Sequence, residues 1–196
     1  MFDRILAQTV KLFDIQNAWI AMDGTGHACT HASLYYAKKL KKQKRHRREH
    51  YTKNYLVVET DKQAILTHKV AKGPRYDSKD AIPALRKAKR MSRIKGCSAD
   101  KAHDAEPIHK VIREELKAEP QIPLKQNRTK TGKYRLKMST EPDESKYHRR
   151  SLVETVISVE KRGDVNYSRS DRLRNKECKL RNICYNVYRY ANIFYS

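Results

Sequence analysis

Four polar residues near the end of the chain have a spacing that places them on one side of a helix. In the segment 146–161, Tyr147, Arg150, Glu154 and Lys161 stand at intervals of three, four and seven residues. At about 100° per residue they fall within a stripe roughly 60° wide. The opposite side is an apolar arc that suits packing on a sheet, and it consists of Leu152, Val153, Val156, Ile157 and Val159. The stripe is therefore either a row of phosphate contacts around a carboxylate or a solvated face, where Arg150 and Glu154 form an ordinary surface ion pair.

Two aspartates elsewhere in the chain combine with Glu154 into a set that the stripe alone does not require. Asp23 follows an apolar strand predicted at 17–22, and the sequence Asp-Gly-Thr-Gly predicts a turn there. Asp100 ends a weaker strand predicted at 94–100, which a glycine interrupts. Three carboxylates that converge at one edge of a sheet suit Mg²⁺, a hard cation that takes carboxylate oxygens together with substrate phosphate. The trio therefore predicts metal-dependent phosphodiester chemistry.

The charge of the chain indicates the kind of partner. Its 196 residues carry a formal net charge of +22, and many lysines and arginines together favour a polyanion because they release the counterions condensed on a phosphate backbone. Nucleic acid is the predicted partner. The most basic run has eight Lys or Arg in the eleven positions 38–48, and a disordered solvated loop is the other interpretation of that run. Within it the predicted DNA contacts are Lys41, Lys42, Arg45, Arg47 and Arg48.

The N-terminal sequence and the cysteines predict a cytoplasmic protein without a membrane partner. The sequence has no secretory signal, no lipidation signal and no apolar span of about twenty residues. Its four cysteines have no CxxC pairing, which argues against a zinc knuckle and a disulfide framework. His27, Cys29 and His31 form a cluster that can in principle ligate a metal. We expect a structural role for them, because structural zinc normally takes a fourth ligand at a characteristic spacing.

The remaining segments alternate between strand-like and helix-like patterns. Two β-prone runs at 54–60 and 63–70 predict an antiparallel hairpin. A helix is predicted from Ser78, with an early acid and with Pro83 inside its first turns. The other predicted elements are a helix at 104–116, an edge-like strand at 121–125, a basic loop at 126–142 and a C-terminal basic helix at 171–194.

The C-terminal helix has one apolar stripe, which is expected to pack on the core of the chain itself. Its residues are Leu173, Leu180, Cys184, Val187, Ala191 and Phe194. A coiled-coil dimer is the alternative, and the pattern is short for it because it lasts little more than three heptads.

The order of the three carboxylates and the spacing Tyr147-x2-Arg150-x3-Glu154-x6-Lys161 resemble the DDE transposases of bacterial and archaeal insertion sequences, specifically the insertion-sequence-four-like group. The stretches IAMDGTGH, KGPRYDSKDAIPALRK and SADKAHD resemble this family as well. The resemblance covers most of residues 17–190. It implies an α/β fold of the ribonuclease-H-like type, in which helices flank a mixed five-stranded sheet whose first three strands are antiparallel.

The resemblance also implies a division of the chain. A short N-terminal segment would occupy 1–16 and the catalytic domain 17–163, with a basic insert at 27–53. Residues 164–196 would form a C-terminal helix packed on the core.

By the same resemblance, Asp23, Asp100 and Glu154 would hold two Mg²⁺ ions, for which Mn²⁺ can substitute. One ion would activate water or a 3′-hydroxyl and the other would stabilise the leaving oxygen, so that the protein cuts DNA at the ends of the element and joins it to target DNA. Tyr147, Arg150 and Lys161 would contact phosphates near the cut. The expected site of action is the nucleoid, and self-association as a dimer in a synaptic complex is left open.

Some residues depart from the family pattern. Relatives usually have Gly-Tyr at the positions of Ala102 and His103, and an apolar residue at the position of Glu160, where a buried unpaired carboxylate would be costly. Relatives also have a helical DNA-end-binding region before the first aspartate, so the 22 residues before Asp23 lead us to expect a truncated copy. Two alternatives therefore stay open: a non-catalytic DNA-binding remnant, and a general ribonuclease-H-like nuclease.

Overall fold

A computed structural model describes residues 1–28, 51–125, 132–140, 142–162, 166–168 and 170–195. The basic run 38–48 with its five predicted DNA contacts lies outside the described residues, as do Cys29, His31 and residues 126–131 and 141 of the predicted basic loop.

Five strands form one mixed sheet in the order β3-β2-β1-β4-β5. Their bounds are β1 Asn17–Ala28, β2 Tyr51–Glu59, β3 Ala64–Lys72, β4 Arg93–Ala99 and β5 Glu119–Gln121. The first three strands pair antiparallel, so the predicted hairpin is confirmed, whereas β4 pairs parallel with β1 and β5 pairs parallel with β4. The expected α/β fold of the ribonuclease-H-like type, with a mixed five-stranded sheet, is therefore confirmed.

Helices cover both faces of this sheet. Their bounds are α1 Phe2–Leu12, α2 Ser78–Ala88, α3 Glu106–Lys110 with a π-helical turn Val111–Glu115, α4 Lys133–Met138, α5 Glu144–His148, α6 Ser151–Glu160 and α7 Asp171–Phe194. Successive strand residues point to opposite faces, so Tyr55 and Val57 join the core beneath α2 and α3, whereas Leu56 and Val58 join the core beneath α6 and α7. Among the described residues, none of the helices combines the length and apolar character needed to cross a bilayer.

The turn predicted after Asp23 is wrong, because β1 continues through that sequence to Ala28. Its pairing with β4 ends at Met22 opposite Ala99, but its pairing with β2 continues to the end of the strand. Gly24 and Gly26 allow neighbouring side chains to approach the strand closely, and they do not form a turn. A Cβ on Gly24 would lie 2.0 Å from a carboxylate oxygen of Asp77, and one on Gly26 would meet the ring of Tyr51.

Gly96 also serves close packing, which explains how β4 forms in spite of its weak sequence pattern. A Cβ at this position would lie 2.3 Å from the ring of Trp19 on the neighbouring strand. The indole Nε1 of Trp19 donates to Ser98 Oγ at 2.8 Å, and that hydroxyl donates to the carbonyl of Lys146 at 2.8 Å. Gly96 thus leaves room for a side chain that connects β1 and β4 to α5.

The single helix predicted across 146–161 is two helices. α5 ends at His148 and α6 begins at Ser151, and the amides of Arg150, Leu152 and Val153 each bond the carbonyl three residues earlier. This tightening changes the helical phase, so Tyr147 does not share one ideal stripe with the residues of α6. The apolar arc of α6 does pack as predicted, with Val153 and Val156 buried.

The apolar stripe predicted to bury α7 faces outward, so that prediction is wrong. Leu173, Leu180 and Val187 are half exposed, and the buried side of the helix consists of Cys178, Asn182, Ile183, Tyr185 and Asn186. Three further differences concern other elements: β5 ends at Gln121, where the predicted strand began, the 104–116 helix begins at Glu106 and ends in a π-helical turn, and α4 lies within the predicted basic loop 126–142. The helix predicted from Ser78 is confirmed as α2.

Asparagines replace apolar contacts on the buried side of α7. Asn182 exchanges hydrogen bonds with Asn54 on β2 at 2.9 and 3.1 Å and also contacts His68 on β3 at 3.0 Å. The amide of Asn186 accepts from the backbone N–H of Ile65 at 2.8 Å and donates to the carbonyl of the same residue at 2.9 Å. The helix is therefore fixed to the sheet by hydrogen bonds that hydrophobic periodicity does not reveal.

Candidate active site

Asp23 and Asp100 lie side by side where the parallel pairing of β1 and β4 ends. The residues before them, Met22 and Ala99, are the last partners in that pairing, and adjacent strands are about 4.8 Å apart. Burial raises the pKa of the Asp23 carboxyl, and the charge of Asp100 adds to the rise. The backbone N–H of Gly24 donates to Asp23 at 2.7 Å and opposes it. The two strands thus bring two of the predicted carboxylates together.

His103 holds Asp100 in the opposite electrostatic condition. Its Nδ1 lies 2.6 Å from Asp100 Oδ1, and its Nε2 lies 2.9 Å from the hydroxyl of Tyr55. A neutral ring satisfies both contacts when Nδ1–H donates to Asp100 and the tyrosine O–H donates to Nε2. The hydrogen bond from His103 lowers the pKa of Asp100, and the charge of Arg150 lowers it further. The residue that departs from the family pattern is therefore a direct partner of a predicted site carboxylate.

Tyr55 is a member of this group that the sequence did not reveal. It is fully buried on β2, in a run of apolar residues whose pattern identifies only a strand. Burial raises the pKa of its hydroxyl well above the ordinary value, so it remains a hydrogen-bond donor.

Glu154 is paired with Arg150 and not with the aspartates. Arg150 Nη2 lies 2.6 Å from Glu154 Oε1, and the glutamate side chain is 51% exposed. Arg150 also lowers the pKa of Asp100, so its guanidinium interacts electrostatically with one of the aspartates as well. Within the described ranges, the carboxylates of Asp23, Asp100 and Glu154 do not all lie within 4.8 Å of one another.

The other two residues of the stripe lie at opposite ends of the site. Tyr147 lines a groove of about 500 Å³ together with Lys101, the residue after Asp100. Lys161 follows the last residue of α6 and is half buried. The groove is also lined by Asp143 and Glu144, and neither Asp23 nor Asp100 is among its lining residues.

An ion pair beside Asp23 is a further feature that the sequence did not predict. Lys53 Nζ lies 2.7 Å from Asp77 Oδ1, and the charge of Asp77 contributes to the raised pKa of Asp23. Lys53 belongs to the predicted basic insert by sequence, but it is a buried residue of β2. Gly24 admits this pair because it has no side chain.

The donor set fits a divalent cation at the two aspartates. Both offer carboxylate oxygens, which hard cations prefer, and the charge of Asp100 disfavours ionisation of Asp23. A cation relieves that repulsion. In this structure one oxygen of Glu154 is held by Arg150.

The chain was compared with family models, with curated proteins and with solved structures. A family model described as the transposase DDE domain matches residues 18–187. A search of curated proteins and a search of solved structures give no match.

Proposed function

This chain belongs to the transposase DDE domain family, and from that premise we propose that it cuts DNA at the ends of an insertion sequence of the insertion-sequence-four-like group and joins it to target DNA. The proposed catalytic domain is 17–163. The observation that supports catalysis best is the juxtaposition of Asp23 and Asp100 at the end of the β1–β4 pairing. These residues fall inside the matched range, and their side chains interact electrostatically.

Asp23, Asp100 and Glu154 would hold the divalent cation, with Mg²⁺ as the proposed ion. When bound, such a cation supplies an activated oxygen nucleophile and stabilises the leaving oxygen of a phosphodiester. Asp100 is ready for this role because the His103 hydrogen bond keeps it ionised. Asp23 is ionised less readily because it is buried.

Arg150 has two proposed partners. In the structure described here it neutralises Glu154, and a DNA phosphate would compete for the same guanidinium because Arg binds phosphate and carboxylate by the same forked geometry. DNA binding would then release Glu154 toward the aspartates. Tyr147 and Lys161 would contact neighbouring phosphates.

A second candidate function is DNA binding without catalysis. The observation that favours it is the Arg150–Glu154 ion pair, which keeps the third carboxylate away from the other two. Such a protein would keep the salt-sensitive DNA affinity expected of a chain with a net charge of +22.

The experiment that tests catalysis compares wild type with Asp23→Ala on DNA that carries the ends of the element, with Mg²⁺ or Mn²⁺. Asp14→Asn is the matched control, because Asp14 is an exposed carboxylate outside the site. We expect cleavage and joining by wild type and by the control, and background product from Asp23→Ala, all resolved on denaturing gels. Equal product from wild type and Asp23→Ala, or none from either, would remove the catalytic proposal.

A binding assay on the same three proteins separates the alternatives. DNA binding that weakens with salt, without any metal-dependent product, would support the non-catalytic function. Cleavage of any duplex without joining would instead indicate a general nuclease.

A further inference from the structure

Three potential metal ligands from three separate elements meet at a second place in the molecule. His27 lies near the end of β1, Glu160 is the last residue of α6, and Cys178 lies in the second turn of α7. One ligand atom from each lies within 4.8 Å of the others, and all three residues are buried. His27 Nε2 is 3.2 Å from Glu160 Oε2.

We propose that these three side chains bind one Zn²⁺ ion. Zinc takes imidazole nitrogen, carboxylate oxygen and thiolate sulfur at bond lengths of about 2.0 to 2.3 Å, so that tetrahedral ligand atoms lie roughly 3.3 to 3.8 Å apart. The distance of 3.2 Å between His27 Nε2 and Glu160 Oε2 is already close to this range. Since all three ligand atoms lie within 4.8 Å of one another, the site needs only a small closure around the ion. Water would occupy the fourth position.

The charges balance when zinc is bound. A carboxylate and a thiolate supply two negative charges, which neutralise the dication, and the imidazole stays neutral. Buried charges in proteins are either paired or bound to metal, and a buried glutamate at the end of α6 is otherwise an unusual choice among the apolar residues of that face.

The donor atoms select zinc over the cation proposed for the aspartates. Mg²⁺ and Ca²⁺ prefer oxygen ligands, whereas a set of nitrogen, oxygen and sulfur suits a softer ion such as Zn²⁺. The two sites therefore differ in chemistry as well as in position, and neither substitutes for the other.

The zinc would tie the end of α6 and the start of α7 to β1. Glu160 directly precedes Lys161, so the ion would fix the end of α6 beside one of the proposed phosphate contacts. The connection between the helices already approaches β1 here, because the N–H of Asn166 donates to the carbonyl of Ala28 at 3.1 Å. Zinc would thus stabilise the fold without taking part in DNA cleavage.

The test uses the full chain, purified without an affinity tag, stripped with chelator and dialysed against Zn²⁺ or Co²⁺. We expect one tightly retained zinc per chain by elemental mass spectrometry, and a cobalt form with a near-ultraviolet band from thiolate-to-metal charge transfer. The midpoint of thermal unfolding should rise with zinc. These readouts need neither DNA nor activity, so their failure leaves the proposed function untouched.

Two site variants and two controls identify the ligands. Cys178→Ala should lose the cobalt charge-transfer band, and both Cys178→Ala and Glu160→Gln should lose the retained zinc and the thermal shift. Cys184→Ala, an exposed cysteine of the same helix, and Cys97→Ala, a buried one elsewhere, should keep all three. No zinc on wild type, or equal retention by wild type and Cys178→Ala, would overturn the proposal and leave a plain His27–Glu160 ion pair.

Discussion

At the scale of single residues, the two aspartates of the candidate site are held in different electrostatic conditions. Asp23 is buried beside another carboxylate, which raises its pKa, while His103 donates to Asp100 and lowers its pKa. His103 is itself aligned by the hydroxyl of Tyr55. The site therefore begins with one carboxylate that is fully ionised and one whose ionisation a bound cation would favour.

We predict that His103→Phe makes catalysis more sensitive to acid. Without the hydrogen bond, the pKa of Asp100 returns toward its ordinary value, so a larger fraction is protonated at low pH. The acidic limb of the cleavage-rate profile should move to higher pH, because His103 lowers the pKa of both Asp100 and Asp23.

Two further variants check that prediction. His148→Phe alters an exposed histidine of α5 and should leave the profile in place, and Tyr55→Phe should shift it less than His103→Phe does. A uniform loss of rate with an unmoved acidic limb would show that His103 is only structural.

At the scale of elements, Asp3 joins α1 to three other parts of the fold. Its carboxylate contacts His68 Nε2 at 3.1 Å, Lys87 Nζ at 3.1 Å and Lys179 Nζ at 2.8 Å, on β3, α2 and α7. The hydrogen bond from His68 is the main cause that lowers the pKa of Asp3, and the lysines add to it. One half-exposed carboxylate therefore connects helices on both sides of the sheet.

We predict that Asp3→Asn lowers the free energy of unfolding by about 1 kcal/mol at pH 7, a modest value because the carboxylate is partly solvated. The folded pKa of Asp3 lies below its ordinary value of 3.8. The stabilisation is therefore fully present above the ordinary pKa, declines below it, and is lost as the pH falls through the folded pKa. Urea unfolding at pH 7 and near pH 3 measures this, and a difference from wild type that does not shrink in acid would contradict it.

The sequence predicted those elements whose signals are local and missed those that depend on distant partners. Two β-prone runs identified the hairpin, and the burial of Val153 and Val156 followed from the arc of α6. Gly24 was interpreted as part of a turn because its neighbour Asp77 comes from a remote segment.

The outward orientation of the apolar stripe of α7 was missed for the same reason. The side-chain amides of Asn182 and Asn186 find their hydrogen-bond partners only in the assembled sheet. In the candidate site, the adjacency of Asp23 and Asp100 agreed with the expected convergence at a sheet edge. The spacing also allowed an ordinary surface ion pair between Arg150 and Glu154, and the structure contains that ion pair.

At the scale of the whole molecule, α7 is the element that contacts several separate parts of the fold. It packs against α1 and β3, and its asparagines reach two strands. Tyr185 and Arg189 extend these contacts to the β2–β3 turn, where they donate to the carbonyls of Gln63 and Lys62.

We predict that Asn186→Leu costs about 1 to 3 kcal/mol of unfolding free energy, because it leaves the buried N–H and C=O of Ile65 without their partner. Val187→Leu, at the adjacent exposed position, should be near neutral. Chemical denaturation of both variants measures the difference, and equal stability of the two would contradict the assigned role of Asn186.

The amide of Asn186 has a meaning beyond stability, because β3 is one of the two edge strands of the sheet. An open outer strand is a template on which another chain can add its own strand and begin to aggregate. At Ile65, one side-chain amide offers the donor and acceptor that a peptide group of an incoming strand would offer. The C-terminal helix thus occupies the hydrogen-bonding groups of the edge at Ile65, as a sixth strand would. A variant without the Asn186 amide should aggregate on storage before it measurably unfolds.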